Sequence, residues 1–340
     1  MMTRSLSRKK YIGLLFMLVF LVFLTNVGSM LVGAGSFNLD RLIQTILGNG
    51  NTTEDFLLFS IKFPRMVVLL LAGVALALSG SILQSLTRND LADPGIIGIN
   101  AGAGVAIAIF FLYVPLDPGT FAFSLPLVAF VGAVLTALCI YVFSYTKGIG
   151  VQAEKLVLVG IGFAMALSGL MIVLISSADH QKVDFIANWL AGSVWGTSWV
   201  FVWTLLPWVV ILFPFILFKA RELNLFSIGR SSAIALGVPI KRDSIILLFV
   251  AVALAAAAVS ITGGIAFIGL MAPHLAKTLV GPKHQRFIPV AALIGAWLLC
   301  LADSIARNAF DVISIPTGVV VSLIGGPFFL YLLLRKKRPV

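Results

Sequence analysis

"FPRMVVLLLAGVALALSGSILQSLTRNDLADPGIIGINAGAG", residues 63–104, decides what kind of fold this chain adopts. No charged residue interrupts the run from Met66 to Leu86, and about 20 such residues are what a helix needs to cross about 30 Å of hydrocarbon. The run stops at Asn89, Asp90, Asp93, Pro94 and Gly95, residue types that end one helix and turn the chain back. A second apolar run follows at once. In it, Gly98, Ala101, Gly102 and Gly104 lie at or near the small-residue spacing that lets helices approach closely in a bilayer. Packing explains that spacing, and Asn100 beside it leaves a second reading open, the lining of a passage.

The same pattern recurs along all 340 residues. The chain is 60% hydrophobic and only 11% charged, with a mean hydropathy of +1.09, far from the composition of a soluble domain. By length and apolarity about ten spans are expected, near 11–34, 64–86, 96–114, 122–146, 155–176, 199–218, 244–261, 264–280, 288–306 and 316–334. These runs are long and continuous rather than short and alternating, which excludes β-barrel strands. The expected fold is therefore an all-α polytopic membrane protein, a single transmembrane domain over residues 1–340.

A formal charge of +11 would suggest nucleic acid for a soluble protein. Here it is a topology signal, because cytoplasmic loops carry the excess of Lys and Arg. With the N-terminus inside, only Arg41, Lys62, Arg65, Lys182 and Arg307 of the 24 Lys and Arg fall outside. Both termini are thus expected in the cytoplasm, which an even number of spans requires. No nucleic-acid partner is implied, and the lipid bilayer is the first one. The basic, apolar start "SRKKYIGLLFMLVFLVFL" has features of a signal peptide, but apolarity continues to Ala34 without a convincing small-residue cleavage site, so an uncleaved first span is expected.

Catalytic chemistry has no visible home. There is no P-loop, H-E-x-x-H, G-x-S-x-G or D-D-x-x-D pattern, and Cys139 and Cys300 both lie mid-span, which indicates neither a disulfide nor a zinc site. His274, in "MAPHLAK", is read as a packing histidine, since no second ligand is near it. The chain is expected to bind no cofactor or metal and not to be an enzyme.

Four polar features remain. "IKFPR" (61–65) puts Lys62 and Arg65 at the mouth of the second span, where they either snorkel to headgroups or serve a partner. "DHQKVDFIANWLAGSVWGTSW" (179–199) holds a helix too short to span, interfacial or re-entrant, whose Trp189, Trp195 and Trp199 fit an outer aromatic belt. "LADSIARNAF" (301–310) sets Asp303 and Arg307 four residues apart on one helical face, either a structural pair or a functional intramembrane acid. The fourth is the charged island "KARELNLFSIGRSSAIALGVPIKRD" (219–243). In it Ser231 or Ser232 can cap a short helix that Gly237 ends and Pro239 keeps from resuming. Ile234, Leu236 and Val238 then form an apolar knob in a charged collar. A helix lying flat on anionic headgroups would usually be longer and more two-faced, so a protein socket is expected.

The stretch at 63–104, "GRSSAIALGV" (229–238), "GGIAFIGLMAPHLAK" (263–277), and "LADSIARNAF" followed by "IPTGVVVSLIGGPFFLYLLL" (315–334) resemble FecCD-type permeases, the membrane subunits of ABC importers for ferric siderophores, haem and cobalamin. The resemblance covers nearly the whole chain. It implies ten spans, a second permease subunit of the same or a related chain, two cytoplasmic ATPases that use ATP, an external solute-binding protein, and a place in the inner membrane of a bacterium. It implies that Ser231, Ser232, Ile234, Leu236, Gly237 and Val238 form the coupling helix that seats in the ATPase. Lys62, Arg65 and Arg307 would pair with acidic groups of the binding protein. At Lys62 the family commonly has Arg, and a Lys cannot make the bidentate fork with a carboxylate. Ferric siderophore is the expected cargo, with haem or cobalamin as alternatives. An ion-coupled secondary transporter, from another class, would need a free intramembrane acid, and Asp303 has a partner nearby.

Overall fold

The computed structural model describes residues 7–32, 37–95, 98–114, 118–147, 150–176, 178–194, 198–228, 239–308 and 315–334. Ser231, Ser232, Ile234, Leu236, Gly237 and Val238, the residues expected to couple to the ATPase, lie outside them, as does Trp195. In chain order the helices are α1 (Arg8–Leu31), α2 (Leu39–Ile46), α3 (Thr52–Asp55), α4 (Phe63–Thr87), α5 (Ile99–Tyr113), α6 (Pro118–Ser144) and α7 (Ala153–Ile175). There follow α8 (His180–Leu190), α9 (Trp199–Phe218), α10 (Ala220–Ile228), α11 (Ile240–Thr262), α12 (Ile268–Val280), α13 (His284–Asn308) and α14 (Thr317–Leu334). A π-helical turn, Phe56–Lys62, joins α3 to α4. The antiparallel pair β1 (Tyr145–Thr146) and β2 (Gly150–Val151) links α6 to α7.

Among the described residues eight helices are long and apolar enough to cross a membrane, and α5 and α12 are shorter apolar helices. Together they occupy the ten expected spans. At 15 and 13 residues these two rise only about 20 Å, so irregular chain must cover the remaining depth. Non-helical backbone is tolerated there only where protein buries it, and it is buried: Ala92 and Asp93, ahead of α5, are 4% and 1% exposed. Between α11 and α12, the N–H of Gly264 donates to the Trp189 carbonyl (3.2 Å) and the Asn100 side chain donates to the Ile265 carbonyl (3.2 Å). Gly263 (φ 69°) and Phe267 (φ 67°) both take left-handed backbone at this break, which costs a non-glycine residue about 1–2 kcal/mol. Gly325 of α14 makes room for Phe267, since a Cβ there would lie 2.5 Å from the phenyl side chain.

The buried centre is α4, α11 and α13. In their most apolar 18-residue windows 72%, 72% and 67% of residues are buried, against 17% in α1 and 11% in α7. Small residues let α4 approach α13 and α12 closely. Gly73 of α4 lies against the backbone of Gly295 and Ala296 in α13, and Gly80 lies against Gly269 of α12. Ser79 reinforces the contact with α11 by donating to the Ala251 carbonyl at 2.7 Å. Gly102 is closed over by Thr136 and Gly132 of α6, and Gly104 by Leu190 and Met171, so both glycines of α5 serve packing.

One expectation resolves differently from the sequence pattern. Trp189 is 1% exposed, in the core and not in an aromatic belt, because the end of α8 tucks against the break at Gly263. Trp199 remains at the surface, where its indole N–H donates to the Phe59 carbonyl (2.9 Å). The ring of His274 meets Phe328 edge-on at 5.8 Å.

Candidate docking mouth and coupling base

At the end of the bundle where α1 finishes and α4 starts, three cations and one carboxylate line a single cavity of about 20 Å³ together with Asn26, Ser29, Met30 and Cys300. The π-helical turn carries Lys62 into it, and Pro64 in the first turn of α4 sets the helix start that carries Arg65. The last turns of α13 supply Asp303 and Arg307.

Asp303, 1% exposed, is the hub. Arg65 grips it as a fork, Nη2 donating to Oδ1 at 2.7 Å and Nε to Oδ2 at 3.2 Å, the strong bidentate form of a charge-assisted bond. Thr317, at the start of α14, donates to Oδ1 at 2.8 Å. Arg307 Nε lies 3.2 Å from Oδ2, one helical turn away. A buried carboxylate is tolerated only when paired and hydrogen-bonded, and both conditions hold.

The cations differ in what else they hold. The third nitrogen of Arg65, Nη1, donates to the Val194 carbonyl (3.0 Å). Arg307 Nη2 donates to Ser29 Oγ (2.8 Å). Lys62, 8% exposed, donates to the Met30 carbonyl (3.1 Å) and lies 5.3 Å from the centre of the Phe37 ring. The three residues expected at a docking face thus share one site of formal charge +2, counting Asp303. Sequence spacing pairs Asp303 with Arg307. It does not reveal Arg65, 238 residues distant, nor Thr317, Ser29 and the Val194 carbonyl. Asking which cation ends at the same depth as Asp303 would have found Arg65.

At the opposite end, the described residues include the base of the charged island. α10 buries Ala220, Leu223 and Phe226. Lys219 bridges Glu222 (3.2 Å) and Asp243 (3.3 Å), tying the start of α10 to the start of α11. Burial alone would lower the lysine pKa, but the hydrogen bonds and charges of these two carboxylates raise it. Beside them sits a cluster that sequence reading missed. His284, 2% exposed, is 2.8 Å through Nδ1 from Asn224 Oδ1 of α10 and 2.6 Å through Nε2 from Ser85 Oγ of α4. Lys277 continues the chain of contacts, donating to Gln84 Oε1 (2.9 Å) and Asp90 Oδ1 (2.8 Å). No local pattern marks His284, because its partners come from two distant segments.

Comparison with known proteins agrees with this architecture. The iron(3+)-hydroxamate import system permease protein FhuG of Bacillus subtilis (strain 168) is 41% identical over 299 residues, 87% of this chain and 88% of that protein. The iron-uptake system permease protein FeuC of the same organism is 32% identical over 94% of this chain and 96% of its own. A solved metal-chelate type ABC transporter in an inward-facing conformation superposes with a TM-score of 0.83 at 29% identity, over 95% of this chain and 99% of that one. With these similarities running over nearly the whole chain, and with residues 17–335 matching the family, this multi-pass membrane protein belongs to the FecCD transport family.

Proposed function

We propose that this chain is a permease subunit of a binding-protein-dependent ABC importer in the cytoplasmic membrane of a bacterium, and that its cargo is a ferric siderophore. The observation that carries the reading is the near full-length similarity to permeases named for ferric hydroxamate and iron uptake. ATP is hydrolysed by two separate cytoplasmic subunits, a second permease completes the pathway, and an external solute-binding protein delivers the cargo. In this reading both termini and α10 face the cytoplasm. Residues 231–238 seat in the ATPase, and α10, held to α4 and α13 through Asn224, Ser85 and His284, passes its motion to the buried helices. The population of inward- and outward-open states then shifts with nucleotide. Lys62, Arg65 and Arg307 face the binding protein, where charge complementarity sets orientation and association rate.

Pairing at Asp303 argues against the ion-coupled alternative. A coupling acid must exchange a proton or sodium, whereas this one is held by Arg65 and Thr317 with Arg307 beside it. The test is uptake of radiolabelled ferric hydroxamates and catecholates, with labelled haem and cobalamin, by cells lacking this chain and by cells in which it is restored. Loss and restoration of one ferric siderophore class is expected. Loss of haem or cobalamin uptake alone would overturn the cargo, and uptake that persists after ATP depletion would overturn the importer class.

A further inference from the structure

We propose that Asp303 is an internal competitor for the carboxylate that docks at this mouth, so that docking exchanges one acid for another on Arg65. The inference rests on the reading of Lys62, Arg65 and Arg307 as the docking cations. Its basis is that no nitrogen of Arg65 is idle: Nε and Nη2 donate to Asp303 and Nη1 to the Val194 carbonyl. The Arg65 side chain retains 16% exposure and Asp303 only 2%. An incoming carboxylate can reach the guanidinium from the exposed side, but it can take the fork only by displacing Asp303.

The site holds a second place for the displaced acid. Arg307 Nε already lies 3.2 Å from Oδ2, is buried and makes no hydrogen bond, and Thr317 still donates to Oδ1. A small shift of Asp303 towards Arg307 keeps the carboxylate paired, which avoids the large cost of a buried lone charge. The same shift loosens the mouth. The Arg65–Asp303 fork joins α4 to α13, and through Thr317 and Val194 it also engages the start of α14 and the turn after α8. Docking would thus release α4, with the turn after α8 that Arg65 still holds, from α13, with the start of α14 that Asp303 still holds, and recapture of Arg65 by Asp303 would favour release of the partner.

The sign of one substitution separates this role from a merely structural one. Asp303→Asn removes the competing charge and raises the mouth from +2 to +3, so the binding protein should dock about 3- to 10-fold more tightly at low salt, mainly through slower dissociation. If Asp303 only braces the mouth, its loss should weaken docking. The assay uses the complete permease–ATPase complex in nanodiscs and the solute-binding protein that supports uptake with this chain. Binding kinetics are read at about 50 mM and about 300 mM salt, a range over which screening changes. Arg307→Glu is the control. If it leaves docking unchanged at low salt, the docking reading itself fails. If it weakens docking while Asp303→Asn fails to tighten it, only the competition fails. Should Asp303→Asn not assemble, the unaltered docked complex decides by cryo-electron microscopy. A partner carboxylate on Arg65, with Asp303 beyond hydrogen-bond reach of it, is expected, and an intact Arg65–Asp303 fork overturns the proposal.

Discussion

Replacing Gly295 by Ala tests whether glycine contacts hold the buried centre together. A Cβ at this position would meet the Gly73 carbonyl oxygen, with the Ala77 Cβ 2.6 Å away. Two methyl carbons need about 3.5–4 Å, so α4 and α13 must separate by about 1 Å at their crossing. A gap of that size forfeits about a quarter to a half of each dispersion contact. With on the order of 20 atom pairs at about 0.15 kcal/mol each across the crossing, the loss is about 0.8–1.5 kcal/mol. Shifted side chains bring the total into the range of about 1–3 kcal/mol typical of overpacking. The matched control is Gly169→Ala in α7, where nothing lies within 4 Å of the new Cβ, and where helix propensity favours Ala by up to about 1 kcal/mol. Thermal unfolding of the detergent-solubilised protein, followed by loss of the monodisperse chromatographic peak, should show Gly295→Ala lower than the parent by about 2–6 °C, with Gly169→Ala equal or higher. Equal midpoints for the two variants would refute the close-contact argument.

Two further outcomes follow from the opposite end of the bundle. His284→Leu fills a similar volume but removes the two hydrogen bonds of the imidazole, leaving Ser85 its bond to the Ser81 carbonyl and Asn224 Oδ1 the backbone N–H of residue 284, so it should cost about 1–3 kcal/mol of stability; it should also lower the ratio of transport to ATP hydrolysis in the reconstituted complex, and an unchanged ratio would remove His284 from the coupling path. A protease-sensitive tag after Val340 should survive external protease in spheroplasts and be cut after lysis, and cleavage in intact spheroplasts would reverse the proposed orientation.

Much was legible because it is local. Long uncharged runs fixed by the width of the bilayer, the turn residues between Asn89 and Gly95, the lopsided placement of Lys and Arg, and the i,i+4 relation of Asp303 to Arg307 each depend on neighbours in sequence. The runs at 96–114 and 264–280 also read correctly as apolar helices, although α5 and α12 are shorter than a full span and irregular chain adjoins each. What could not be read was which face of each helix meets which neighbour. In water an amphipathic stripe announces the buried face, but a membrane helix is apolar all round, since lipid tails are as apolar as a protein core. Rotation of α4 about its axis, which aims Gly73 at Gly295 and Arg65 at Asp303, leaves no periodic trace. The burial of Trp189 depends on a break 74 residues further on, at Gly263, and the setting of His284 on α4 and α10 together. By itself the sequence determined the class of protein and where its apolar helices lie along the chain. Only the tertiary structure decided that the cations at the mouth share a buried carboxylate, because that depends on where two segments 238 residues apart end in space.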